Sequence, residues 1–192
     1  MIYGIWTFCA ALIAFIISTV TGKFLIPYLR KLHFGQTILE EGPKWHKGKQ
    51  GTPTMGGIMF IVAIVIVTIA STVVYAITGN EFVTSFYADI PKECVLIFCG
   101  LGLAVANGVI GFIDDYIKVV KKRNLGLTAS QKLILQFLVA AAFLAVLAIA
   151  GFGTTTTIPF AGKVDLGFFY YIIAAVAIVG IVNSVNLTDG ID

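Results

Sequence analysis

Hydrophobic positions in this chain come in long unbroken runs rather than in the alternating or helically spaced patterns of soluble domains. Five runs, Ile2–Gly22, Ile58–Ile77, Cys94–Ile113, Leu133–Ala150 and Leu166–Thr188, match the length of a hydrocarbon core, which takes about 20 residues of helix. Closed barrels also span bilayers, but their strands alternate and these runs do not, so helices are expected. The first run has no cation before it and exceeds the apolar region of a cleaved signal, so it reads as a retained transmembrane helix with its N-terminus outside. Polar positions gather at the junctions. Gly79–Pro91, with Phe82, Phe86 and Tyr87, fits an interfacial loop. In TTTTIPFAGKVDLG, Thr154–Ile158 and Lys163–Leu166 around Ala161-Gly162 predict a short β-hairpin. Thr128-x-x-Gln131 predicts a capping box that opens the fourth helix. The expected fold is an all-α polytopic membrane protein with five transmembrane helices, its N-terminus outside and a short periplasmic β-hairpin, residues 1–192 forming a single integral membrane domain.

Composition supports this pattern and charge gives it an orientation. The 192 residues are 58% hydrophobic and 12% charged, against roughly 25% charged in soluble domains. Arg30, Lys31, Lys44, Lys47 and Lys49 lie in the 30–54 loop, and Lys118, Lys121, Lys122, Arg123 and Lys132 lie in the 114–132 loop. With Lys23, that places eleven of the thirteen cations on one side and leaves only Lys92 and Lys163 opposite. The basic side is therefore cytoplasmic, facing anionic lipid and nucleotide. Cys9, Cys94 and Cys99 sit in apolar runs without metal-ligand spacing and read as packing residues. His33 and His46 read as solvated loop residues. No nucleic-acid partner is expected.

Three polar stretches carry the candidate chemistry. In KGKQGTPTMGG, Lys47–Gly57, Thr52 or Thr54 can cap the second helix and Pro53 suits its first turn. Free N–H groups, a hydroxyl and Lys49 there make either an ordinary cap or an anion site. In GFIDDYIKVVKK, an apolar run ends on Asp114 and Asp115, carboxylates at the negative end of a helix dipole. If the helix continues, Lys118 pairs with both at i,i+3 and i,i+4 spacing, worth about 0.2–0.5 kcal/mol per pair on a solvated face. One carboxylate would be enough for that. Two adjacent ones repel, and such a pair can hold a divalent ion or take a proton. In NSVNLTDGID, Asn183, Asn186, Asp189 and Asp192 recur every three residues and form a polar stripe at the inner end of the fifth helix. Such residues near membrane depth are costly and usually functional, while helix packing is a rival role for the two asparagines. All three stretches reach the same cytoplasmic boundary. A phosphorylated ligand handled beside lipid, with a divalent cation, is the chemistry they share.

At GTPTMGG (51–57), DDYIK (114–118) and NSVNLTDGID (183–192) the chain resembles the phospho-N-acetylmuramoyl-pentapeptide transferases, members of the polyprenyl-phosphate N-acetylhexosamine-1-phosphate transferase superfamily. The resemblance implies the N-terminal half of a ten-helix enzyme of the bacterial cytoplasmic (inner) membrane, with its active site on the cytoplasmic face. It implies transfer of phospho-MurNAc-pentapeptide from UDP-MurNAc-pentapeptide to undecaprenyl phosphate, giving lipid I and UMP with Mg²⁺ as cofactor. It assigns catalysis to Asp114 and Asp115, the first as the favoured base, with a covalent aspartyl intermediate as the competing route. It assigns substrate binding to Lys49, Thr54, Lys118, Lys121, Lys132, Asn186, Asp189 and Asp192. The principal metal ligand is implied to lie beyond Asp192, so these residues alone are expected to be inactive. Membrane lipid is an implied partner, and a homodimer is left open. The alternative is a sister UDP-GlcNAc:undecaprenyl-phosphate GlcNAc-1-phosphate transferase, whose members usually carry an acidic residue where Lys118 stands. An ion-coupled transporter fits less well, since transporters place their acids near the midplane. A purely structural scaffold leaves the four inner-face aspartates unused.

Overall fold

The computed structural model describes residues 2–31, 54–78, 92–121, 125–160 and 162–189. Among the described residues, five helices and one hairpin follow in the order α1 (Ile2–Lys31), α2 (Ile58–Thr78), α3 (Lys92–Val120), α4 (Ala129–Ile149), β1 (Thr155–Ile158), β2 (Gly162–Asp165) and α5 (Phe169–Asp189). Among the described residues four helices are long and apolar enough to cross a membrane, and α2 adds a shorter apolar run, Ile58–Val74. Little of their surface is covered by the chain itself: Phe15 is 69% exposed, Phe24 72% and Ile149 87%. Apolar side chains left open at that level belong in lipid, which makes this an integral membrane protein.

Two helices are longer than the apolar runs predicted. α1 continues past Gly22 through Pro27 to a last turn holding Arg30 and Lys31, cations that suit the negative end of the dipole. α3 continues past Ile113 as far as Val120. Asp114 and Asp115 therefore stand more than a turn before the helix end, not at it. α4 opens at the capping box: the Thr128 hydroxyl accepts from the Gln131 N–H at 3.2 Å and the Gln131 side chain accepts from the Thr128 N–H at 3.0 Å. α5 starts later than the apolar pattern implied, because Gly167 turns the chain in the left-handed region at φ 51°.

The chain divides into two compact units, residues 1–89 with 111–127, and residues 90–110 with 128–192. In the first, α1 packs on α2. Gly22 faces Met59 so closely that an added Cβ would come within 2.8 Å of the Met59 sulfur, the small-residue contact that lets membrane helices approach. In the second, α4 packs on α5, with Ala140, Leu144 and Val179 buried. The predicted hairpin is present there: β1 and β2 pair antiparallel, Thr155 opposite Asp165 and Ile158 opposite Gly162. Gly79–Pro91, His33 and His46 lie outside the described residues.

Candidate functional site

In the first unit, helical spacing brings Asp114, Asp115 and Lys118 together on α3. The Lys118 ammonium stands 2.6 Å from Asp114 Oδ2 and 3.1 Å from Asp115 Oδ1. The two carboxylates are not equivalent. Asp114 is buried, 8% exposed, and its Oδ1 accepts a hydrogen bond from the Leu127 backbone N–H at 2.8 Å. The Asp115 side chain is about a third exposed, at 32%. One cation is thus shared between a buried carboxylate and a partly exposed one, and a single negative charge is left over. An uncompensated carboxylate at the depth of Asp114 would be costly.

The loop after α3 reaches Asp114 because residue 126 has no side chain. A Cβ built on Gly126 would lie 2.5 Å from the Asp114 carbonyl oxygen and 2.8 Å from its carboxyl carbon. Sequence reading passed over Gly126 and Leu127; a glycine in the short NLGLT connection between two helices was the available signal.

The GTPTMGG stretch differs from its expected geometry. α2 begins at Ile58, and the N–H groups of Phe60 and Ile61 both bond to the Gly57 carbonyl at 3.1 Å. Gly57 therefore occupies the cap position. Thr54, half-buried, stands too far back to be the capping residue, while Thr52, Pro53 and Lys49 lie outside the described residues. Between them, buried Met55 holds φ at 67°, left-handed backbone that a residue with a Cβ adopts only at a cost. Lys121 is exposed, one residue past α3.

In the second unit, Lys132 Nζ donates to Asn186 Oδ1 at 3.0 Å. One turn deeper, Asn183 Nδ2 donates to Gln136 Oε1 at 2.6 Å and to the Val179 carbonyl at 2.8 Å. Gln136 is 2% exposed. The polar stripe on α5 is thus in part a helix-packing device, the rival role for its asparagines, while at its open end Lys132 is half-buried and Asn186 exposed. Gln136 was also missed, although a lone polar residue inside LILQFLVAAAF was a readable signal. Asp189 ends α5; its side chain, and Asp192 entirely, lie outside the described residues.

A divalent cation of the Mg²⁺ type takes six oxygen ligands, usually one or two of them carboxylates. Among the described residues no group of three or more His, Cys, Asp or Glu side chains could hold a metal ion. Both oxygens of Asp114 are already engaged, so the described residues do not by themselves build such a site.

These features sit in a chain with clear relatives. The chain belongs to glycosyl transferase family 4, whose model matches residues 95–192. The phospho-N-acetylmuramoyl-pentapeptide-transferase signature 1 matches residues 49–61. The phospho-N-acetylmuramoyl-pentapeptide-transferase of Bacillus subtilis (strain 168) is 47% identical over 182 residues, 94% of this chain and 52% of that protein. That of Geobacillus kaustophilus (strain HTA426) is 47% identical over 184 residues, 95% and 52% of the two chains. That of Halalkalibacterium halodurans is 45% identical over 182 residues, covering 94% and 51%. The chain spans about half the length of the curated relatives it matches.

Proposed function

We propose that the protein containing this chain transfers phospho-MurNAc-pentapeptide from UDP-MurNAc-pentapeptide to undecaprenyl phosphate at the cytoplasmic face of the bacterial membrane, in peptidoglycan precursor synthesis. The observation that carries the proposal is the Asp114–Asp115–Lys118 cluster on α3, in a chain that also bears the pentapeptide-transferase signature. Such a triad answers a defined electrostatic problem. An oxygen of the lipid phosphate must attack the sugar-linked phosphorus. A new P–O bond forms as the bond to the bridging oxygen breaks, and UMP departs with that oxygen. Several negative charges converge, and catalysis of such transfers is mainly positioning and charge neutralisation.

In this reading Asp114 or Asp115 takes or orients the proton of the lipid phosphate. Lys118 keeps the carboxylate pair compatible with an incoming anion. Asp115, about a third exposed, is the member more open to solvent and to ligand. Lys49, Thr54, Lys121, Lys132, Asn186, Asp189 and Asp192 contact the nucleotide-sugar or its phosphates. Mg²⁺ would supply further charge neutralisation, with ligands additional to this carboxylate pair. Asp114→Asn and Asp115→Asn test the assignment: each is expected to lower turnover on the order of 10²-fold or more, as for loss of a positioned acid or base, without loss of folded protein. Near-normal turnover in both would sink it.

A further inference from the structure

We infer that Gly126 and the Leu127 amide form a positioning clamp for Asp114, and that the transferase needs this clamp for turnover rather than for substrate affinity. The inference rests on the proposed role of Asp114. Its basis is the way one buried carboxylate is held. Oδ2 is fixed by Lys118 at 2.6 Å from within the same helix. Oδ1 is fixed by the Leu127 N–H at 2.8 Å, from thirteen residues further along the chain. With both oxygens bound, the side chain has one orientation.

A helix-borne ion pair alone does not achieve that. Helix pairs at this spacing are individually weak, and Lys118 is itself shared with Asp115. The backbone donor is different, because its position is set by the loop. The residue after Leu127 is Thr128, locked as the N-cap of α4 by two reciprocal hydrogen bonds. The residue before it is Gly126, whose missing side chain is what lets the loop lie against Asp114. Space, not backbone freedom, requires the glycine: among the described residues the positive-φ glycines are 151, 162 and 167, and Gly126 is not one of them. An added methyl group meets the Asp114 carboxylate, its carboxyl carbon and its main-chain oxygen together. The helix backbone cannot retreat, so the loop must.

Movement of about 1 Å at a reacting group can cost on the order of 10²-fold in rate. Gly126 and Leu127 therefore act through Asp114 as positioning residues, without touching substrate. The test uses the full-length protein in membranes, with UDP-MurNAc-pentapeptide and undecaprenyl phosphate as probes. Gly126→Ala is expected to lower kcat about tenfold or more while KM for both substrates stays within about threefold. Leu127→Ala keeps the N–H and is expected to stay near the parent rate; Leu127→Pro removes the N–H and is expected to match Gly126→Ala. In an Asp114→Ala background, single-turnover measurements should show no further loss from Gly126→Ala.

Parent-like kcat in Gly126→Ala, a defect confined to KM, or an undiminished extra loss in the Asp114→Ala background would each overturn the clamp. If Gly126→Ala does not accumulate as folded protein, Leu127→Pro carries the same comparison. Failure of both to fold would make the loop a folding element and overturn the positioning role as well. Near-normal turnover in Asp114→Ala would instead overturn the underlying assignment of Asp114, an outcome separable from a neutral Gly126→Ala beside an inactive Asp114→Ala.

Discussion

The side-chain amide of Asn183 on α5 donates to the buried Gln136 oxygen on α4 at 2.6 Å, and this bond, with the Lys132–Asn186 bond one turn away, ties together two helices that bury Ala140, Leu144 and Val179 between them. Replacing Gln136 by Leu removes the acceptor, but Asn183 keeps its bond to the Val179 carbonyl. The expected loss is therefore modest, about 0.5–2 kcal/mol. Thermal unfolding in detergent, with Gln136→Leu, Asn183→Leu and the double variant compared, should show single losses that do not add.

Lys118 has a larger effect in prospect, because one of its partners is buried. Lys118→Ala leaves Asp114 uncompensated and is expected to lower stability by about 1–3 kcal/mol, discounted from fully buried pairs because the lysine is about a third exposed. Asp114→Asn in the Lys118→Ala background should recover part of that loss by removing the stranded charge. Lys118→Arg keeps the charge but not the compact ammonium, and turnover is expected to fall more than stability. Chemical denaturation and initial rates measured on the same preparations check both statements.

The hairpin carries a pH dependence of definite sign. The Thr154 hydroxyl and then the Gly167 N–H, the latter at 3.0 Å, bond to the Asp165 carboxylate and hold its pKa below the usual carboxylate range. Because the folded-state value is the lower one, this contribution is fully present above the unfolded-state pKa. It is lost as pH falls through the folded-state value. The Gly167 amide should exchange faster only once pH falls below about 3.9, after correction for intrinsic exchange, and Asp165→Asn should abolish that pH response. Pulsed hydrogen exchange read by mass spectrometry measures it.

Gly151 closes α4 with φ at 76°, and its carbonyl accepts from Lys92 Nζ at 3.0 Å. Gly151→Ala forces a Cβ into left-handed backbone, at a cost of about 1–2 kcal/mol. The nearest obstacle, the tip of Lys92 at 3.2 Å, can move aside. Gly151→Asn should lose less than Gly151→Ala, since asparagine tolerates that conformation; the order of the two melting temperatures decides the point.

Much of the fold was legible because lipid demands a coarse code. Runs such as Cys94–Ile113 have to be helices, and the Thr128-x-x-Gln131 and TTTTIPFAGKVDLG punctuation fixed a cap and a hairpin that the structure contains. Helix ends were less legible: hydrophobicity stops at Ile113, but the i,i+3 and i,i+4 pairs to Lys118 let the backbone continue to Val120. The α2 cap was misread because Met55 and the two glycines after it insert a turn between Thr54 and the helix. The acids and the lysine of the candidate site stood out as charges beside apolar sequence. Gln136 left a local trace as a lone polar residue in an apolar run, but its partner on a distant helix did not, and Gly126 and Leu127 contribute the absence of a side chain and a backbone N–H. Neither that partner nor what the loop contributes is written in local composition.

The central claim is the transfer reaction, and release of UMP tests it most directly. The complete protein in membranes, given UDP-MurNAc-pentapeptide and Mg²⁺, is expected to release UMP only when undecaprenyl phosphate is present, with a lipid-linked phospho-MurNAc-pentapeptide formed in equal amount. UMP release without the lipid acceptor, no release with it, or equal turnover of UDP-GlcNAc would contradict the account.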